Sequence, residues 1–196
     1  LSFGLTLTSV AWASSFLRLS AAVRGVVLSI FAVVCVIETT LITLQAHRGV
    51  PSHVNFETPF DTAVSMTLAG GGLVIIVVGL ILAGAALRRT AELAPELRLA
   101  LRFGFVTLLV AFGTGAIMIA TGVTLVRSGD PAAAYATAGF LKPLHAVSMH
   151  AILVLPGIAW LLGSTGWPPR RRLMIIRYAA VGYLVLLAGA VIISLA

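Results

Sequence analysis

Polar positions in this chain are few and bunched, and the bunches cut it into long apolar runs. Read in order, the runs cover about 1–17, 23–46, 59–87, 101–126, 143–162 and 173–196. Several exceed the roughly 18 residues that reach across a bilayer core of about 30 Å. They are continuous and rich in Leu, Ala, Val and Gly, without the short alternating segments of a membrane barrel. The pattern therefore predicts an all-α fold, a polytopic transmembrane helical bundle of about six helices. The count falls to five if residues 1–17, slightly short and speckled with Ser and Thr, form an interfacial helix instead. That run opens at Leu1 with no Met and no basic region, so the expectation is a span lacking its beginning and no signal peptide. No repeat and no soluble segment interrupts the pattern, and residues 1–196 read as a single transmembrane helical domain.

The breaks between runs carry their own signals. Thr58 before Pro59, with Asp61 three residues after the cap, marks a helix start. Residues 88–102 read as a charged connection. Asp130-Pro131 and the following AAAYATAG suggest a short helical piece within the polar loop 127–142, and Lys142-Pro143 opens the next run. Pro156 inside that run frees a backbone carbonyl one turn back and predicts a kink. Gly70, Gly71, Gly72, Gly79 and Gly84 thin the third helix, and Gly104, Gly113, Gly115 and Gly122 the fourth. Small residues let helices approach closely in lipid, within the bundle or with membrane-protein partners.

Composition agrees. The chain is 60% hydrophobic and 10% charged, against about 25% charged in soluble proteins, and its mean hydropathy is +1.11. The lipid bilayer is its expected environment. A net charge of +7 would raise nucleic acid as a partner in a soluble protein. Here the basic residues lie between apolar runs, where membrane topology needs them, and no nucleic acid is expected. On alternate connections, one side collects Arg18, Arg24, Arg88, Arg89, Arg98, Arg102, Arg170, Arg171, Arg172 and Arg177, and the other only Arg48, Arg127 and Lys142. Basic residues concentrate on the cytoplasmic side, so loops 47–60 and 127–142 are expected on the outer side. The lone cysteine, Cys35, excludes an internal disulfide and a CxxC or CxxCH motif.

This asymmetry puts all four histidines, with Glu38, Glu57, Asp61 and Asp130, in the outward half. At about 1.5 Å per residue, Glu38 lies roughly 12 Å below the outer end of its helix and His150 about 10 Å below the start of its own. Met149 adjoins His150, and Ser65 and Met66 are slightly shallower. A carboxylate inside a membrane is costly and faces a partner or a cavity, and His150 is the expected partner of Glu38. Cys35, Glu38 and Gln45, with Thr39 and Thr43 beside them, form a polar stripe at helical spacing. His47, His53 and His145 lie nearer the surface, where loop 47–60 would act as a lid.

Imidazole suits Zn, Cu and Fe, and a thioether favours Cu(I). The cofactor candidates are therefore His47, His53, His145 and His150, and the metal candidates Glu38, Met149 and His150. A haem b would need two axial side chains, such as His47 with His145 or His53 with His150. His145 and His150, five residues apart, point about 140° from one another and do not readily serve one ion. HRGVPSH is not a zinc spacing, and HAVSMH is not HExxH. Each candidate has a structural alternative. Glu38 and His150 would lock two helices as a buried pair, His47 and Arg48 would anchor among headgroups, Thr58 and Asp61 would cap, and Met66 and Met149 would pack.

Residues 45–61, QAHRGVPSHVNFETPFD, preceded by Glu38-Thr39, resemble a segment of uncharacterised bacterial multi-pass membrane proteins, in which an R-G-x-x-S-H-[FV]-N-x-x-T-P-[FL]-D run follows a helix with a Glu. Residues 144–162, LHAVSMHAILVLPGIAWLL, resemble their later G-M-H-x-x-Q-x-L-P helix. Ser148 stands here where Gly is commoner, and Ile152 or Leu153 where Gln is often found, which removes one polar group. The resemblance implies an integral membrane protein of six or more helices and supplies no activity; the expected location is the bacterial cytoplasmic (inner) membrane. Three functions stay open: a haem- or transition-metal-binding protein, a proton-sensitive transporter or sensor hinged at Pro156, and a non-catalytic subunit of a larger membrane complex. No nucleophile–base pair or phosphate-binding loop points to an enzyme, and no discontinuous helix pair or repeat marks a transporter.

Overall fold

A computed structural model describes residues 2–88 and 92–195; Leu1, the stretch 89–91 with Arg89, and Ala196 lie outside them. The fold is all-α. Among the described residues the helices are α1 (Ser2–Ser14), α2 (Ala21–His47), α3 (Pro59–Arg88), α4 (Pro95–Arg127), α5 (Pro131–Thr137), α6 (Lys142–Gly163) and α7 (Pro169–Leu195). Five of these, α2, α3, α4, α6 and α7, are long and apolar enough to cross a membrane. α1 has 13 residues and spans only about 20 Å. α5 is the short piece expected within the second polar loop.

Two helices start earlier than their hydropathy suggests. α4 begins at Pro95 and α7 at Pro169, rather than near Leu101 and Leu173. Proline suits the first helical turn, because its missing N–H has no partner there to lose. The charged residues that read as loop are first-turn residues of helices running past the apolar layer. Glu96 and Arg172 come together across these two turns, with Arg172 Nε 3.0 Å from Glu96 Oε1.

α1, α2, α3, α4 and α6 form a ring, with α1 against α2 and α6, α2 against α3, α3 against α4, and α4 against α6. Val10, Phe31, Leu82, Phe105 and Ile152, one from each helix, are buried at its centre. α7 lies outside the ring on α4 and α6, through Ala100, Ala151, Leu155, Ile176 and Tyr183. The Tyr183 hydroxyl donates to the Val147 carbonyl of α6 at 2.6 Å. The outward faces are apolar, with Val36 63% and Ile192 69% exposed, the inverse of a protein solvated by water. The chain is a multi-pass helical membrane protein. Lipid tails are as apolar as leucine, so the helices associate through close packing. At Gly104 an added Cβ would lie 2.8 Å from the Ile152 Cα, and any larger residue forces α4 and α6 apart.

Contacts along α4 set the levels of its neighbours. Gly79 of α3 meets Phe112, Gly104 meets Ile152, and Gly115 meets His145. α4 therefore continues to Arg127, beyond the level at which α6 begins. The overhang is covered by α5 and by loop 47–60, since Val54 and Ala138 both pack against Gly122. At the opposite end, Arg18 pairs with Glu92, and Arg102 donates to the Leu87 carbonyl at 2.8 Å, capping α3.

Candidate functional site

The polar stripe expected on α2 is present. Phe31, Cys35, Glu38 and Gln45 are its buried residues above Val27. Thr39 and Thr43 are exposed, and the Thr39 hydroxyl donates to the Cys35 carbonyl of its own helix at 2.7 Å. Glu38 is 3% exposed. Opposite it, an added Cβ on Gly71 of α3 would lie 2.6 Å from Glu38 Oε1 and 3.3 Å from Val34 Cγ1. The missing side chain at Gly71 gives the carboxyl its room. No ion pair among the described residues includes Glu38, and no donor reaches its oxygens. A buried carboxylate left in that condition is costly.

Two turns further along α2 the same helix pair is fully bonded. Asp61 Oδ1 accepts from Gln45 Nε2 at 2.9 Å and from Arg48 at 2.5 Å. Arg48 also donates to Gln45 Oε1. The Thr58 hydroxyl donates to Asp61 Oδ2 at 2.6 Å and accepts from the Asp61 backbone N–H at 3.1 Å. The cap expected at Thr58 is therefore made. Arg48, expected among the headgroups, turns onto Asp61, stays partly exposed and lies 4.9 Å over the Phe60 ring. The available signal was the spacing: Gln45 and Arg48, three apart at the end of α2, face the first-turn acid of α3.

Loop 47–60 plugs the space beside Gly122 with Val54 and is pinned through Asn55. Asn55 is fully buried. Its N–H donates to the Ser65 hydroxyl at 3.0 Å, that hydroxyl donates to its carbonyl at 2.9 Å, and its Oδ1 accepts from the Glu57 N–H at 3.1 Å. Val54 adopts φ 54°, a left-handed conformation that costs on the order of 1–3 kcal/mol. In return its side chain fills the space left by Gly122, 3.1 Å from where a Cβ would stand. His53 is half-buried beside it, with Nδ1 2.9 Å from the Ser52 hydroxyl. Burial pushes its imidazole below the ordinary histidine range.

The other histidines take separate surroundings. His47 is exposed at the end of α2. His145 is half-buried, with Nδ1 2.7 Å from the Ala111 carbonyl of α4 and 3.3 Å from the Thr114 hydroxyl. Nδ1 must therefore carry the proton, leaving Nε2 as the lone-pair nitrogen. His150 is exposed, its Nδ1 2.6 Å from the Ala146 carbonyl one turn back. It lines a small crevice with Thr6 and Ser9 of α1. The Thr6 hydroxyl is 3.1 Å from Met149 Sδ, which packs as the structural reading of Met149 had it. Met66 is exposed.

The Glu38–His150 pair is not made. Glu38 faces α3 and His150 faces α1, on different sides of the ring. Carried across to α4, Glu38 stands level with about residue 120 and His150 with about residue 106, roughly 20 Å apart at 1.5 Å per residue. Equal depths assumed that α2 and α6 end at one surface, and the overhang of α4 breaks that assumption. The same register separates His47 from His145 and His53 from His150 by roughly 20 Å, too far for two axial ligands of one haem. Among the described residues no three His, Cys, Asp or Glu side chains gather as a metal-holding group. Glu38, Met149 and His150 do not converge, and the donor set does not fit a closed transition-metal site.

No protein-family model, curated protein or solved structure matches the chain.

Proposed function

We propose that the protein is a proton-responsive membrane protein, a transporter or sensor, in which Glu38 is the group that changes charge. The observation that carries this reading is a carboxyl buried within a membrane span, with no cation and no donor, in a space made by the absent side chain of Gly71. Ionisable groups placed so in membranes mark proton or ion pathways. The ten-to-three division of Arg and Lys and the likeness of residues 45–61 and 144–162 to bacterial membrane proteins support a place in the bacterial inner membrane, with loops 47–60 and 127–142 outside. Glu38 then lies in the outer half, beneath the plug. Tryptophan fluorescence of the protein in liposomes tests this. The His53→Gln parent and His53→Gln with His150→Ala respond to pH, whereas His53→Gln with Glu38→Gln does not; a response retained in the last overturns the reading.

A second reading rests on one further observation. His145 Nδ1 is anchored to the Ala111 carbonyl, the second-shell arrangement that orients histidine ligands of metals and haem. His145 would then present Nε2 as a single ligand to a haem b or a transition metal. A reduced-minus-oxidised spectrum with metal analysis decides it; neither a Soret band nor bound metal in the wild type removes it.

A further inference from the structure

At the basic end of the bundle a cavity of about 400 Å³ opens between the α1–α2 link and the last turns of α3, lined by Leu19, Leu80, Ile81, Gly84, Ala85 and Arg88. Its walls are apolar until the last lining residue, the exposed Arg88. Gly84 makes the groove. An added Cβ there meets nothing within 4 Å, so unlike Gly71, Gly79 or Gly104 this glycine serves no helix contact. From Leu80 to Arg88 the groove runs about 12 Å along α3. The α3 carbonyls of Ala86 and Leu87 are already engaged by Arg102, and Glu92, the acid that follows α3, is paired with Arg18. The rim is therefore cationic where the apolar floor ends.

We infer that this groove binds an anionic phospholipid, one acyl chain lying along Leu80, Ile81 and Gly84 and the phosphate meeting Arg88. A guanidinium matches phosphate geometry with paired donors. Basic pockets between spans at headgroup level take such lipids. A cationic rim at the end of an apolar floor complements one anionic headgroup above one acyl chain, which favours lipid as the occupant.

The test titrates the full-length protein in neutral detergent with phosphatidylglycerol and with phosphatidylcholine of the same acyl chains, read by native mass spectrometry. Phosphatidylglycerol should bind about fivefold more tightly, the factor expected of one basic residue near an anionic surface. Arg88→Gln should abolish that preference and leave phosphatidylcholine binding unchanged. Gly84→Leu, whose side chain has open space to enter, should weaken both lipids while keeping the melting temperature of the wild type. Equal affinity for both lipids in the wild type, or a preference retained by Arg88→Gln, overturns the inference. A wild-type dimer that Gly84→Leu converts to monomer assigns the groove to a second copy instead.

Discussion

Two carboxyl groups are buried between α2 and α3, two helical turns apart, and they are held in opposite ways. Asp61 is 2% exposed and Glu38 3%, so burial does not distinguish them. Asp61 is approached by Gln45, Arg48 and Thr58, whereas Glu38 is approached by none. The difference separates a fastening from a site. A carboxylate with its lone pairs occupied joins two helix ends and has no capacity left over. One without donors costs stability, and the proposed function gives its charge change a use.

Substitutions that exchange or remove these conditions should separate the two groups. Asp61→Ala should have the largest effect. It leaves Gln45 buried without its acceptor and removes the partner of Arg48, for a loss of about 3 kcal/mol, the lower end for breaking a buried pair because Arg48 is one-third exposed. Unfolding in mixed micelles measures it. Arg48→Gln should cost less, about 1–2 kcal/mol by the same assay, because Asp61 keeps Gln45 and Thr58. Gly71→Ala should cost about 1 kcal/mol, since its Cβ must displace a flexible carboxyl rather than backbone, and should move the midpoint of the pH response. If it destabilises the protein as much as Asp61→Ala does, Glu38 is a fastening after all.

The smallest effect belongs to the plug. Burial holds the His53 imidazole below its ordinary value, so the unfolded chain takes up a proton more readily than the folded one. Both are neutral above about pH 6.5, where the stabilisation is fully present. It is lost as pH falls through the lowered folded value. Melting temperatures should therefore drop as pH falls below about 6.5, where the unfolded chain begins to take up the proton, and His53→Gln should flatten that drop. An unchanged profile in His53→Gln would mean that the loop does not bury His53.

How much of this could be read beforehand follows from what each signal reports. Apolar run length reports spans, and all five candidate spans lie on runs visible in the sequence. Helical spacing reports faces, and the buried Cys35, Glu38 and Gln45 follow it. The cap at Thr58 is a local signal and was legible for that reason. Relative depth is not local. It depends on how far α4 runs past α6, which is set by the contacts of Gly104 with Ile152 and Gly115 with His145, and these have no mark in sequence. The Glu38–His150 pairing failed on that point. Loop 47–60 looked like a surface segment because it is polar. Its insertion depends on the left-handed Val54 and on Ser65 receiving both backbone groups of Asn55, a tertiary arrangement. Charge misled at Pro95 and Pro169, where first-turn residues beyond the apolar layer read as connection.

The central claim is that Glu38 changes charge while Asp61 does not. Infrared difference spectroscopy over pH tests it directly, in a His53→Gln background so that the plug does not contribute. Subtracting Glu38→Gln from its parent should leave a carbonyl stretch of a protonated carboxylic acid that disappears as pH rises. No such band at any pH, or one that does not titrate, would contradict the account.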